Sequence, residues 1–444
     1  MKILLINPPI RMDAKPYFHP IGLSMIAGAL LEKEHDVSVL DLNIQRSGEV
    51  VIDDKYDLVG ISGLITTYGF LYDLVPFLRN VISCPIVIGG GGITSAPEVY
   101  MENIKPDYGV LGEGERTIVE LVDALEGKRS FESVDGIITA SFRTPPRELS
   151  DLDDLPEQAF SLFDMKTYIG NRRHLPNDAA ILSTRGCPHN CSFCYHIFGR
   201  KFRYRNPKKV VDEMEVLMNE YGAESFLFGD ECLTANKKNL MAICKEIVDR
   251  GIKTRWMAYS RVDTIDKEMV LAMKEAGCVK IGYGLENGSQ ARLDEMNKGV
   301  TIDKMKETFS MTQKYLSASG TFIFGMPGEN DDSIFEHLRF CHDIDYSRSM
   351  FHLSPYPGTK VFEDNKEKII EHFGSLHNFF CKLDDASKFV INLTNWDDKT
   401  YFEKKFYTES MSKHHANIFE GFRRGYFLGT NYYYMKGKQH DLGS

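Results

Sequence analysis

The chain has 444 residues, 43% of them hydrophobic and 11% aromatic, enough for two or three globular domains with their own cores. A formal net charge of -10 and a pI near 5.8 exclude the basic footprint of a general nucleic-acid binder and leave a small-molecule or peptide substrate open. No apolar run approaches the roughly 20 residues of a membrane span, and MKILLINPPI stops at two prolines, too soon for a signal-peptide core, so no membrane partner and a cytoplasmic location are expected.

In chain order, KILLIN (2–7) reads as a buried strand followed by a helical pattern over 22–34. DVSVLDL (36–42), LVGISGL (58–64), CPIVIGGGG (84–92) and YGVLGEGE (108–115) read as four more strands, the last leading into a helix over 116–127. Strands alternating with helices predict a parallel, doubly wound α/β sheet, whose ligands bind beyond the carboxyl ends of the strands. The loops 7–22, 62–68 and 89–94 are therefore the ones expected to carry function. From 142 to 166 three prolines and an acidic run break the pattern and read as a linker.

Alternation then resumes, with strands at 179–187, 224–232, 253–261, 279–287, 319–328 and 349–358 and helices at 207–220, 236–250, 266–277 and 301–317. Six such units predict a partial (β/α)6 TIM-like barrel with its chemistry at the carboxyl ends of the strands. Beyond about 360 the composition turns aromatic and basic and predicts a mainly helical C-terminal tail. Its Tyr401, Phe402, Phe406, Tyr407, Phe419, Phe422, Tyr426 and Phe427 read either as a cover for the barrel or as a pocket lining with His414, His415 or Arg423. The expected division is 1–140, a linker over 141–172, a barrel over 173–362 and a tail over 363–444.

Three of the nine cysteines, Cys187, Cys191 and Cys194, fall within STRGCPHNCSFC as C-x3-C-x2-C, while Cys84, Cys232, Cys244, Cys278, Cys341 and Cys381 are scattered. That is no disulfide framework; a tight cluster of this kind points to metal or to chemistry. Structural zinc needs a fourth ligand, for which His189 or His196 are the local candidates. A cubane iron–sulfur cluster on three thiolates instead leaves one iron open to an outside molecule.

The C-x3-C-x2-C loop after the first barrel strand resembles that of the radical S-adenosylmethionine (SAM) superfamily, including Phe193 before the last cysteine. The resemblance implies a 4Fe-4S cluster on Cys187, Cys191 and Cys194 whose open iron chelates SAM. It implies reductive cleavage to a 5′-deoxyadenosyl radical that removes a substrate hydrogen, with an electron donor such as flavodoxin or ferredoxin. By the same resemblance FGDE (228–231) supplies Asp230 or Glu231 for the SAM amino group, and Arg261 faces its carboxylate. Glu286, in GYGLENGSQARLDEMNKGVT, holds the ribose; Gly325, in GTFIFGMPGE, lies along the adenine; and Pro355, in SPYPGT, marks the sixth strand end.

The first domain resembles the cobalamin-binding domain of one class of these enzymes through INPP, HPIGLSMIAGALLE, LDLN, VGISGL, IGGGGITSAPE and LGEGERT. The resemblance implies a Rossmann-like, B12-binding domain with Ser62, Leu64, Gly89, Gly90, Gly91 and Glu113 at the corrin, its small residues keeping the crevice open. Only His19 and Gly22 remain of the cobalt-ligand motif D-x-H-x-x-G, with Tyr17 in place of the aspartate, so cobalamin without histidine ligation is expected. The implied function is methylation of an unactivated carbon through methylcobalamin. Cyclisation, oxidation or rearrangement on the same architecture, with or without cobalamin, is the alternative. A tRNA methylthiotransferase would need three N-terminal cysteines where residues 1–150 hold only Cys84, and a non-catalytic cofactor binder would not need the SAM motifs.

Overall fold

The structure, a computed structural model, describes residues 1–10, 18–45, 52, 55–170 and 175–412. The first apolar runs form β1 (Lys2–Asn7), β2 (Asp36–Asp41), β3 (Leu58–Ser62), β4 (Ile86–Gly89) and β5 (Tyr108–Val110), all parallel, and β6 (Ile137–Ile138) adds antiparallel to β5. The strand order β2-β1-β3-β4-β5-β6 reverses between β1 and β3, so a crevice opens at their carboxyl ends. Helices α1 (Ile21–Leu31), α2 (Tyr68–Arg79), α3 (Gly91–Ser95), α4 (Pro97–Asn103) and α5 (Glu115–Leu125) connect these strands. β6 was not legible in the sequence because two residues carry no alternation.

The proline-rich segment is ordered where it is described, and runs as a strap across the first sheet into α6 (Met165–Gly170). Asp41, at the end of β2, accepts from Asn7 Nδ2 at 2.7 Å and from Tyr168 Oη of α6 at 2.7 Å, which joins the INPP and LDLN motifs to the strap. Gly28 of α1 lets the strap approach, since a Cβ there would lie 2.0 Å from the Glu157 carbonyl oxygen. His19 is buried, with Nε2 2.8 Å from Gln158 Oε1 and its ring edge-on to Phe160 and Tyr168.

The second sheet takes β7 (Asp178–Ile181), then, after a small antiparallel ribbon of β8 (Thr184–Arg185) and β9 (Arg203–Tyr204), β10 (Ser225–Phe228), β11 (Arg255–Ser260), β12 (Cys278–Glu286), β13 (Ser317–Phe324) and β14 (Phe351–His352). Its order, β14-β13-β12-β11-β10-β7, is sequential and parallel, and the two edge strands do not pair: the architecture is an open six-stranded half-barrel. Between its strands lie α7 (Pro207–Tyr221), α8 (Lys237–Asp249), α9 (Lys267–Glu275), α10 (Gln290–Glu295), α11 (Ile302–Gln313) and α12 (Asp331–Asp343). Side-chain caps from Asn206, Asn236, Asp266, Thr301 and Asn330 satisfy the first amides of α7, α8, α9, α11 and α12 and fix where those helices start.

After the barrel come α13 (Lys360–Phe373), α14 (Leu376–Lys382) and α15 (Asp398–Ser412). Helix α14 packs on α2 of the first domain, where Tyr68 Oη lies 2.9 Å from His377 Nδ1 and its ring lies edge-on to Phe380. Tyr401 of α15 is buried against β13 and β14, with its hydroxyl 2.8 Å from His352 Nδ1, whereas Phe402 and Phe406 are exposed. Tyr401 is thus a cover for the barrel. Phe419, Phe422, Tyr426, Phe427, His414, His415 and Arg423 lie outside the described residues. No helix among the described residues is long and apolar enough to cross a membrane.

Burial lowers the pKa of His19, His337 and His352 to about 4 each. These folded values lie below the unfolded value, so the unfolded chain takes up protons that the folded chain refuses as pH falls from about 6.5 towards 4. Each histidine then removes stability at up to about 1.4 kcal/mol per pH unit. Buried Asp41, Asp230, Glu231 and Glu329, raised by the same desolvation, act with the opposite sign, so the effect shows as a difference between variants. Between pH 7.5 and 5, His337→Asn is expected to lose less stability in urea unfolding than the parent; equal losses would contradict the assignment.

Candidate functional site

The β8–β9 ribbon closes the loop that carries the cysteines. Gly186, at φ +86°, turns the chain out of β8, and a Cβ there would lie 2.4 Å from the Lys201 carbonyl oxygen, so the loop closes only on glycine. Backbone bonds pin the loop to its surroundings: Ser192 N–H to Met296 O at 2.8 Å and Val361 N–H, at the start of α13, to Ser192 O at 2.9 Å. Cys187 and Cys191 are buried and Cys194 half-buried. Burial raises the pKa of Cys191 and pushes Cys194 up to about 12; a hydrogen bond with Cys232, then burial, raises Cys187. Iron binding here would displace protons from protonated thiols. Among the described residues no three His, Cys, Asp or Glu side chains converge on one metal ion. A cubane takes each thiolate on a different iron, so three thiols in one loop suffice to hold one.

Around this loop lie buried polar atoms without a protein partner. Asp230, past the end of β10, uses only Oδ1, which accepts from Ser183 N (2.9 Å), Ser183 Oγ (3.0 Å), Thr184 Oγ1 (2.6 Å) and Thr184 N. Asp230 Oδ2, Glu231 Oε2, His189 Nε2 and both ring nitrogens of His196 remain unpartnered. Desolvation raises Asp230 and pushes Glu231 up to about 7, partly offset for Glu231 by backbone donors of Ile197, Gly186 and Phe198 in the cysteine loop. Two buried carboxylate oxygens without donors beside the cysteine loop suit a cationic ligand such as an ammonium group. The residues present therefore fit a SAM-bearing cluster.

Glu286 ends β12 at φ +64°, a strained conformation for a residue with a side chain, and its Oε1 accepts from Lys298 Nζ at 2.9 Å. Both residues are buried, and the lysine stands 5.9 Å above the Phe193 ring. Gly284 makes room for this pair, because a Cβ there would lie 2.3 Å from Glu286 Oε1. Arg261 is tied closely into the protein. Its fork is taken by Asp263 (Nε to Oδ1 and Nη2 to Oδ2, both 2.9 Å), Nη2 also donates to Lys298 O at 2.6 Å, and Nη1 donates to Cys191 Sγ at 3.3 Å. One N–H of the guanidinium, on Nη1, is left unassigned, and Lys298 is a second buried cation at the cysteine loop. The space that the missing side chain of Gly325 leaves is filled by the Tyr401 ring, 2.7 Å from an ideal Cβ. Pro355 is buried in the turn after β14.

In the first domain Ser62, Gly89 and Gly90 are half-buried and Leu64 is exposed at the carboxyl ends of β3 and β4. The glycines there do not hold the crevice open. They let the two loops zip together, with Gly63 N–H on Gly89 O at 2.8 Å and Gly92 N–H on Gly63 O at 2.9 Å, and a Cβ on Gly90 would lie 2.7 Å from Gly63 O. The accessible rim they leave, Ser62–Leu64 beside Gly89–Gly90, is small-residue backbone with one apolar side chain, and fits a corrin tail laid along it. Gly91 is buried under the cysteine loop, where its carbonyl accepts from Tyr195 Oη at 2.9 Å. Glu113 is committed elsewhere: Arg203 takes both its oxygens, at 2.9 Å for Oε2, and Arg185 Nη1 lies 3.4 Å from Oε1. That ion pair ties Glu113 to the ribbon that carries the cysteine loop. Tyr17 lies outside the described residues, and His19 Nε2 is already engaged by Gln158.

Sequence reasoning missed Lys298, Tyr195, Cys232, Arg185 and Arg203. Lys298 and Tyr195 stand inside motifs already picked out, MNKG and CSFCY, but both residue types sit at surfaces by default and gave no reason to expect burial.

A half-barrel with a three-cysteine loop at its strand ends is joined to a doubly wound domain that faces that loop. Residues 181–341 match the radical SAM superfamily model and residues 9–122 the B12-binding domain model. An uncharacterised methyltransferase of Pyrococcus horikoshii is 31% identical over 386 residues, covering 82% of this chain and 83% of the relative. The anaerobic magnesium-protoporphyrin IX monomethyl ester cyclase of Cereibacter sphaeroides is 31% identical over 350 residues, 74% of this chain and 56% of that enzyme. The radical SAM methyltransferase TsrM of Kitasatospora setae, solved with cobalamin and a 4Fe-4S cluster, shares the fold at TM-score 0.68 and 21% identity over 83% of this chain and 76% of its own. The chain belongs to the cobalamin-binding radical SAM enzyme family, and its cofactors are a 4Fe-4S cluster, SAM and cobalamin.

Lys298→Met leaves Glu286 buried without its partner and is expected to lower unfolding stability by about 3–5 kcal/mol. Adding Glu286→Gln should recover most of that loss. Urea unfolding of the two variants decides, and a double variant no better than the single one would refute the pairing.

Proposed function

We propose that the protein is a cobalamin-dependent radical SAM methyltransferase acting on an unactivated carbon of a small-molecule or peptide substrate. The observation that carries this reading is the Tyr195–Gly91 hydrogen bond, which puts the residue after Cys194 directly on the corrin-side loop of the first domain. A domain that had lost its cofactor would have no need to meet the cluster loop at that glycine. When bound, the three cofactors supply reductive SAM cleavage, hydrogen abstraction and a methyl group.

The protein's own part is positional. Cys187, Cys191 and Cys194 would hold the cluster, and the unpartnered oxygens of Asp230 and Glu231 would accept from the SAM amino group. Glu286 would accept from the ribose while Lys298 offers a cation to the carboxylate. Phe193 and Pro355 would wall the pocket, and Ser62, Leu64, Gly89 and Gly90 would line the corrin. Holding these groups face to face removes the entropic cost of bringing them together in each turnover. A cytoplasmic flavodoxin or ferredoxin would supply the electron, residues 1–140 and 173–362 forming the corrin and radical domains.

The likeness to anaerobic cyclases at 31% identity favours oxidative cyclisation as the second reading. Product mass separates the two, since methylation adds one methylene and cyclisation adds none.

Anaerobically purified protein supplied with iron, sulfide and cobalamin is expected to show a corrin spectrum and one cubane cluster per chain and, given SAM and a low-potential reductant, to form 5′-deoxyadenosine together with S-adenosylhomocysteine. Single alanine variants of Cys187, Cys191 or Cys194 should lose the cluster while Cys232→Ser keeps it. Loss on Cys232→Ser would make the site a four-cysteine one, and absence of corrin after reconstitution would overturn the cobalamin reading.

A further inference from the structure

Arg261 makes its contact with the cysteine loop through sulfur. It is buried, at the carboxyl end of β11, and four of its five N–H donors are assigned: two to Asp263, one to Lys298 O and one to Cys191 Sγ at 3.3 Å. The Asp263 fork fixes the plane of the guanidinium, so the donor aimed at Cys191 is held without freedom to turn away. Asp263 is itself 26% exposed and carries the compensating charge on the outer side of the pair. Among the described residues Cys191 is the one cysteine of the loop for which a charged donor to sulfur is found.

We infer that Arg261 is a positioning residue that sets the reduction potential of the cluster, by donating a charge-assisted hydrogen bond to the Cys191 thiolate under the control of Asp263. The inference rests on the reading that Cys191 is a cluster ligand. Reduction adds one electron to a cluster already carrying three thiolate charges in a buried site, and a fixed cation with a donor on sulfur stabilises the more negative, reduced form. Hydrogen bonds to cluster sulfurs and local charge are among the determinants of such potentials. Asp263 opposes the cation, so the two halves of one ion pair act on the cluster with opposite signs.

That opposition gives a test that a bracing role would fail. Potentiometry with EPR detection on reconstituted protein, without SAM, should place the cluster of Arg261→Gln at a lower potential than the parent and that of Asp263→Asn at a higher one. Arg261→Lys, which keeps the charge but not the fork, should fall between Arg261→Gln and the parent. A residue that merely braces the loop would move both partners' variants the same way or leave the potential unchanged, and either result overturns the inference. If Arg261→Gln does not retain its cluster, Asp263→Asn decides alone: a rise supports the proposal, and no shift or a fall overturns it. SAM affinity of Arg261→Gln is a second readout, since weakened SAM binding at an unchanged potential returns Arg261 to the carboxylate role and defeats the proposal. Failure of the ligand reading is distinguishable, because Cys191→Ala would then keep its iron.

Discussion

The meeting of the two sheets depends on a buried ion-pair clasp. Arg185 and Arg203, one from each strand of the ribbon that closes the cysteine loop, reach out of the half-barrel to Glu113 and Glu115 at the start of α5. Arg185 Nη2 lies 2.6 Å from Glu115 Oε1, and Arg203 forks onto Glu113. All four side chains are close to fully buried, so separating the domains would strand charges in apolar surroundings at several kcal/mol each. The clasp sits on the paired residues of the ribbon that closes the cysteine loop, so the loop takes its orientation from the first domain as well as from its own barrel. Tyr195 on Gly91, and Phe198 stacked 4.9 Å from the Arg185 guanidinium, extend the same junction. A loop assembled from two domains in this way can present a cluster to one cofactor on each side.

The parts of the fold legible in the sequence were those with long periodicity. Buried runs such as KILLIN and LVGIS, and helices begun by Asn, Asp or Thr caps, fall within a few residues of where they were expected, because many residues vote for each. The β8–β9 ribbon and β6 are two-residue strands and leave no pattern to read. The cysteines were legible because thiols at fixed spacing have few other uses. Their supports were not: that Arg185 faces Glu115, or that Lys298 lies beneath the loop on Glu286, is decided by long-range packing. Local sequence says only that these residues are charged.

Much of what the motifs carry is used by the protein itself: their glycines make room for neighbouring groups, and some of their charged residues hold other side chains. Gly60, Gly63, Gly90 and Gly92 let loops or neighbouring side chains close on one another, Gly284 makes room for the Glu286–Lys298 pair, and Gly325 makes room for Tyr401. Glu113 and Arg261 hold other residues in place. A motif preserves whatever keeps the reacting geometry rigid, and much of that lies one contact behind the cofactor.

What is left facing inward is then more informative than the motif itself. Asp230 spends one oxygen on four donors from the Ser183–Thr184 turn and leaves the other buried with none; Glu231, beside it, does the same with Oε2. An unsatisfied buried carboxylate oxygen costs about 1–3 kcal/mol, and two at one strand end, with unpartnered His189 and His196 in the adjoining loop, make a site that folds at a cost and recovers it on binding. The donors missing there are those of an ammonium group, so a cation seated beside the three thiols would remove the deficit. Three cysteines would leave one iron of a cubane open to a ligand, and the unmet acceptors of Asp230 and Glu231 would receive that ligand's N–H donors.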